Sequence, residues 1–251
     1  MARLCRAMNT AQTIREAVAE VERLREESRA LPDVGAAVVC LKGFQARRFA
    51  GTYADLLASS TYGSAARFFL EELYSDRDYR ERDAQFARIA GAVEKLFPKD
   101  VAETAAGLAR LHALTESLDH AMARIAPLAG LEDVAGYVRV WKATGRREDR
   151  ERQLETLVAI GAEMARLTRL PGLRMMLRMM RGPASAAGLS SLQRFLESGF
   201  DTFASITRLR GGAERFLETI REREQRLVNL LFDGDAVACE TELRRVLGQA
   251  R

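Results

Sequence analysis

LHALTESLDHAM, Leu111 to Met122, decides how this chain is read, because it holds both histidines, His112 and His120, with Glu116 midway between them. At about 100° per residue, Leu111, Leu114, Leu118, Met122 and Ile125 gather in one arc of a helix. His112, Glu116 and His120 fall at about 0°, 40° and 80° on nearly the opposite side, with Asp119 beside them. An apolar arc opposed to a polar one describes a helix half in the core and half in water. The expectation is therefore a solvated polar face, with Glu116 and His120 supporting each other at i, i+4. Ligand-type side chains at i, i+4 and i+8 could meet a metal, but such sites usually draw ligands from other segments too. Neither Glu-x-x-His nor His-Glu-x-x-His occurs. Ala105, Ala109 and Ala113 run along the same side, and residues that small would let a second helix pack closely over the histidines.

The same periodicity extends outward. Helices are expected at roughly 10–30, 34–50, 53–60, 64–74, 79–96, 101–128, 132–143, 148–169, 172–181, 184–206, 212–232 and 235–249. Thr13–Glu16, Asp78–Glu81 and Asp100–Glu103 match the capping-box pattern. Pro32, Gly51, Pro98, Gly130, Gly145, Pro171, Gly182-Pro183, Gly211-Gly212 and Gly234 punctuate the chain. No alternation of period two and no sustained heptad is present. The fold class that follows is an all-α multi-helix bundle of about ten to twelve helices without a sheet. Residues 1–251 read as one domain, with a subdivision conceivable near 129–133.

Composition narrows the class further. The chain has 251 residues, 47% of them hydrophobic and 29% charged, as in ordinary globular proteins. Its formal charge is +4, with 39 basic residues set against 35 acidic ones. That balance argues against a nucleic-acid reader, which concentrates its positive charge. Cys5, Cys40 and Cys239 share no metal-like spacing, so reduced thiols in a cytoplasmic protein are expected. The N-terminus shows no signal-peptide pattern, and VGAAVVCL is too short to span a bilayer.

Residues 67–74 read RFFLEELY. On a wheel Phe69, Leu70, Leu73, Tyr74 and Ala66 form the apolar arc, while Phe68 points between Glu71 and Glu72. Phe68 is either covered by a second layer or part of a partner surface. This stretch, with Phe68-Phe69, Leu73-Tyr74 and Arg82-Asp83 as its signature, resembles an uncharacterised family of bacterial, chiefly proteobacterial, all-helical proteins. The resemblance runs across most of residues 62–232. It implies a helical fold and a cytoplasmic bacterial origin, and it implies no activity and no catalytic residue.

Between Arg166 and Arg194 there is no acidic residue. GLRMMLRMMRG within it forms an amphipathic helix: Leu173, Met176, Leu177 and Met180 share one face, Arg174, Arg178 and Arg181 another, and Met175 and Met179 widen the apolar arc. Methionine adapts to varied apolar partners, and marginal arginines can grip a carboxylate or phosphate. Phe68, Arg174, Met175, Arg178, Met179 and Arg181 are therefore the candidate surface for a protein or small amphiphile, with peripheral membrane contact also allowed. Just downstream, Gly199 costs roughly 1 kcal/mol of helix propensity, which something close must justify, and Gly188 raises the same question.

No phosphate-binding loop, Gly-x-Gly-x-x-Gly or Gly-x-Ser-x-Gly elbow occurs. The carboxylates follow helix-surface spacing and read as solubilising ion pairs. The leading expectation is a non-enzymatic interaction or regulatory protein. The alternatives are a helical pocket for an amphiphilic ligand or haem-like cofactor, with His112 as an axial ligand, and a metal-dependent hydrolase using His112, Glu116, Asp119 and His120. No cofactor is specified by the sequence.

Overall fold

The computed structural model describes residues 9–72, 79–126, 131 and 133–250. Three of the helices begin at a side-chain cap. Asn9 Oδ1 accepts from the Gln12 amide, Asp133 Oδ1 from Gly136 and Asp235 Oδ1 from Ala238, each satisfying a free N–H of a first turn. The Thr13 capping box is corrected: Asn9 starts the helix a turn earlier and leaves Thr13 inside it. Asp100 likewise lies inside a helix that opens at Lys99, and Asp78 lies outside the described residues.

Thirteen helical segments, and no strand, occur among the described residues. They are α1 (Thr10–Ala30), α2 (Pro32–Thr52), α3 (Ala54–Ala58), α4 (Gly63–Glu72), α5 (Arg80–Leu96), α6 (Lys99–Ile125), α7 (Val134–Thr144), α8 (Arg147–Leu167), α9 (Leu173–Met179), α10 (Arg181–Ala186), α11 (Ser190–Thr207), α12 (Gly212–Asp233) and α13 (Ala236–Leu247). The all-α expectation holds. The expected helix 184–206 is two segments, because Gly188 takes φ +67°. That left-handed conformation is open to glycine and breaks the helical path. The boundary sought at 129–133 falls mostly outside the described residues.

α6 is the axis. Its 27 residues span about 40 Å at 1.5 Å each, and it touches α1, α2, α5, α7 and α8. Around it lie separate apolar clusters. Phe49, Tyr53, Phe69, Leu157, Phe203 and Phe216 centre one; Leu41, Phe44, Tyr137, Trp141, Leu231 and Leu243 centre another. Ala11, Ile14, Ala17, Ala90, Ala106 and Ala109 form a tight alanine-rich seam between α1, α5 and α6. Close approach is also built in at Gly51, where a Cβ would stand 1.8 Å from the Val246 carbonyl oxygen.

The solvated-face expectation for α6 is overturned. Leu118, Asp119 and His120 are consecutive, so they point about 100° apart, yet all three are buried. A helix buried at three successive bearings has no wet side at that turn. The alanine stripe is the physical reason: Ala106 and Ala109 are buried, with Ala105 and Ala113 packed beside them, and α1 and α5 close over that side.

Candidate functional site

The polar residues that α6 buries are matched by polar stripes on its neighbours. α2 is apolar but carries Lys42, Gln45 and Arg48 at i, i+3 spacing, and α8 carries Arg150 and Gln153. Lys42 Nζ donates to Glu116 Oε1, and Gln45 Nε2 donates to Asp119 Oδ1 at 3.1 Å. Gln153 Nε2 donates to Thr115 Oγ1 at 2.7 Å. From α1, Arg25 donates to Asp83 Oδ2 at 2.7 Å, and the same oxygen lies 3.0 Å from His112 Nε2. Deeper in, Arg48 and Tyr53 both donate to Glu224 Oε1. Carboxylates read from spacing as surface ion pairs are thus buried: Asp83, Glu116, Asp119 and Glu224. Asp83, Glu116 and Glu224 each face a cation, whereas Asp119 faces the neutral Gln45 amide; removing one partner of a buried ion pair strands the other.

These residues surround a cavity of about 70 Å³ whose walls include Lys42, Gln45, Asp83, His112, Glu116 and Asp119. Arg82 borders it, its guanidinium 3.9 Å from the Tyr79 ring centroid and 4.6 Å from that of Phe195. Such cation–π contacts hold the charge by the ring quadrupole. Leu108, Leu111, Leu157 and Phe195 form its apolar side, and the same four residues also wall a second cavity of about 120 Å³. Phe69, Ile160, Met164, Leu167, Leu196 and Phe203 line that second chamber, where Thr104 is the single polar side chain. A polar chamber and an apolar one therefore share a partition.

The two aspartates of the polar chamber differ in electrostatics. Burial pushes the Asp83 carboxyl up, but His112 and Arg25 outweigh it and hold it below the usual range. Burial raises Asp119, with Glu116 adding to the effect and Arg150 and Lys42 opposing it. Environments that push two acids apart separate a permanent anion from a group able to carry a proton.

The metal alternative needed His112, Glu116, Asp119 and His120 together, and the structure divides them. His120 turns to α1, with Nδ1 3.2 Å from Ser28 Oγ and Nε2 3.2 Å from Glu27 Oε2. Among the described residues no group of three or more His, Cys, Asp or Glu is placed to hold a metal ion. A haem-like ring fits neither chamber, since cofactor sites run to roughly 300 Å³ and more.

Phe68 has its second layer. Its ring stacks on Phe195 at 5.9 Å, and a Cβ on Gly199 would stand 3.1 Å from its tip. Gly199 is thereby accounted for as the gap that admits Phe68 between α4 and α11. On α9, Leu173 and Leu177 point inward, while Met175 and Met179 are 64% and 71% exposed. Arg174 pairs with Asp201 at 2.9 Å and Arg181 with Glu197, so two of the three candidate arginines grip α11. Arg178 is exposed.

The fold and its buried centre define an all-helical protein with a charged cavity backed by an apolar one. Residues 24–238 match the family described as a domain of unknown function (DUF8198), and the chain belongs to that family. The match extends on both sides of the region in which the Phe68-Phe69 and Arg82-Asp83 signature was read; Leu73-Tyr74 lies outside the described residues. No curated protein and no solved structure matches the chain. Among the described residues, no helix is long and apolar enough to cross a membrane.

Proposed function

We propose that this protein binds a small amphiphile, with the polar head beside His112, Glu116 and Asp119 and the apolar part in the chamber lined by Phe69, Ile160 and Phe203. The observation that carries this reading is the partition shared by the two chambers. Ionised groups held in the interior of a helical protein cost stability unless matched, and here they are gathered at one end of an apolar void. The volume of the apolar chamber, about 120 Å³, approaches the roughly 150 Å³ cavity that accepts benzene, so the tail is of about six carbons. Phe195 and Leu108, both half-buried, stand in the shared partition and are the side chains whose rotation would join the chambers.

The test is thermal unfolding with hexan-1-ol as a tail probe. At about ten times Kd a ligand adds about 1.4 kcal/mol, or roughly 3–6 °C for a chain of this size. Ala105→Leu, which extends a side chain into the chamber, removes the shift. No shift in the parent protein at any soluble concentration defeats the reading.

A second reading, a protein-interaction or regulatory role through α9, is favoured by one observation: Met175 and Met179 are exposed one helical turn apart. Its test is pull-down with the double variant Met175→Ser/Met179→Ser, which loses a partner that the parent protein holds. Retention of every partner by that variant refutes it.

A further inference from the structure

We propose that the polar chamber takes a primary ammonium head, held by the second carboxylate oxygens of Glu116 and Asp119, with the attached chain in the apolar chamber; this rests on the amphiphile reading above and specifies its ligand class. Three features select that head. The first is size: a cavity of about 70 Å³ admits a handful of water-sized groups at roughly 10–15 Å³ each. An ammonium fits with room for its first methylenes, whereas a bulky phosphate or quaternary head crowds it.

The second is the disposition of charge. The cations near the chamber are already engaged: Lys42 by Glu116, Arg25 by Asp83 and Glu22, Arg82 by Glu72 at 3.3 Å beneath two aromatic rings, and Arg150 by Gln153 at 3.2 Å over the Trp141 ring. Acceptors are in surplus by contrast. Glu116 uses Oε1 for Lys42 and Asp119 uses Oδ1 for Gln45, which leaves Oε2 and Oδ2 for a ligand donor. Asp83 adds a third carboxylate to the same wall. An ammonium has three donors and no acceptor, the complement of this wall, while a carboxylate head would meet like charge.

The third is protonation. The groups around Asp119 are Lys42 of α2, Arg150 of α8, Glu116 of α6 and Tyr137 of α7, with Asp83 and His112 across the chamber. Burial holds the Asp119 carboxyl above its ordinary range. An ammonium beside it favours the carboxylate, so binding releases a proton and affinity rises with pH until Asp119 ionises unaided. The balance is simple: one proton leaves Asp119 for solvent as the ligand cation enters.

The experiment is calorimetric titration of the full chain with hexylamine, hexan-1-ol and hexanoic acid, which share a tail and differ in head. Hexylamine is expected to bind at least tenfold tighter than hexan-1-ol at pH 7. Glu116→Gln and Asp119→Asn each bring the ratio of hexylamine to hexan-1-ol affinity close to one; should one variant fail to fold, the other carries the comparison. Asp119→Asn also flattens the pH dependence. Equal affinity for hexylamine and hexan-1-ol overturns the ammonium assignment and leaves the amphiphile reading standing, and tightest binding of hexanoic acid does the same. Failure of all three probes to bind overturns both.

Discussion

Replacing Asp119 with Asn probes the buried centre through pH. Asp119 is 1% exposed, and its carboxyl titrates above the ordinary aspartate value of 3.8. Between that value and the raised one, the native chain keeps a proton that the unfolded chain has lost. Stability must therefore fall as pH rises through this window, by about 1.36 kcal/mol per pH unit for one proton. Asparagine has no proton to lose. Compared with protonated aspartate it imposes a constant offset, so the stability difference between variant and parent is flat below the window. It then climbs in favour of the variant at up to that slope and levels once the folded carboxyl has ionised. Urea unfolding followed by circular dichroism, at half-unit steps from pH 4 to 8, measures the difference directly. Parallel curves for the two proteins across the whole range would refute the placement of Asp119 in a water-poor interior.

Asp83 behaves with the opposite sign: its carboxyl is held below 3.8, so the stability it contributes is present above that pH and lost as pH falls through the folded value. Asp83→Asn leaves the Arg25 guanidinium, whose side chain is only 17% exposed, with Glu22 as its remaining carboxylate at 2.7 Å, and is expected to cost about 1.5–3 kcal/mol at pH 7, with less further loss on acidification than the parent shows in urea midpoints. Gly51→Ala drives a methyl into the Val246 carbonyl, a backbone contact that no rotamer change relieves. It should lower Tm by roughly 6–12 °C, from about 3 kcal/mol of overpacking. Gly182→Ala, with nothing within 4 Å, should stay within about 0.5 kcal/mol of the parent protein. Met175→Ser/Met179→Ser removes only exposed side chains and should leave the urea midpoint within the same margin.

The helices were legible because their determinants are local. The leucine spacing of α6, the Gly211-Gly212 break before α12 and the inward face Leu173–Leu177 of α9 all lie within one or two turns. Gly188 was visible as an anomaly, but its left-handed turn depends on the neighbouring segments. The polar face of α6 misled because amphipathicity distinguishes apolar from polar sides, not buried from wet ones. His120 and Asp119 look the same on a wheel whether water or Ser28 and Gln45 stand opposite. Two signals for burial were present: the Ala105, Ala109 and Ala113 stripe, and the polar stripe Lys42, Gln45, Arg48 on the otherwise apolar α2. Joining them required knowing that α1, α2 and α6 are neighbours, a relation set by contacts across 74 to 92 residues of chain. Phe68 and Gly199 pose the same problem in miniature, since each is a local oddity explained only by the other.

The burial of the polar face of α6 is tested most directly by histidine modification with diethyl pyrocarbonate, read by peptide mass in native and urea-unfolded protein. His120, 6% exposed against α1, is expected to resist modification in the native protein, and His112, a fifth exposed at the chamber wall, to react slowly. Both should react at the same fast rate once unfolded. Fast native modification of His120, at the rate seen in urea, would contradict the account.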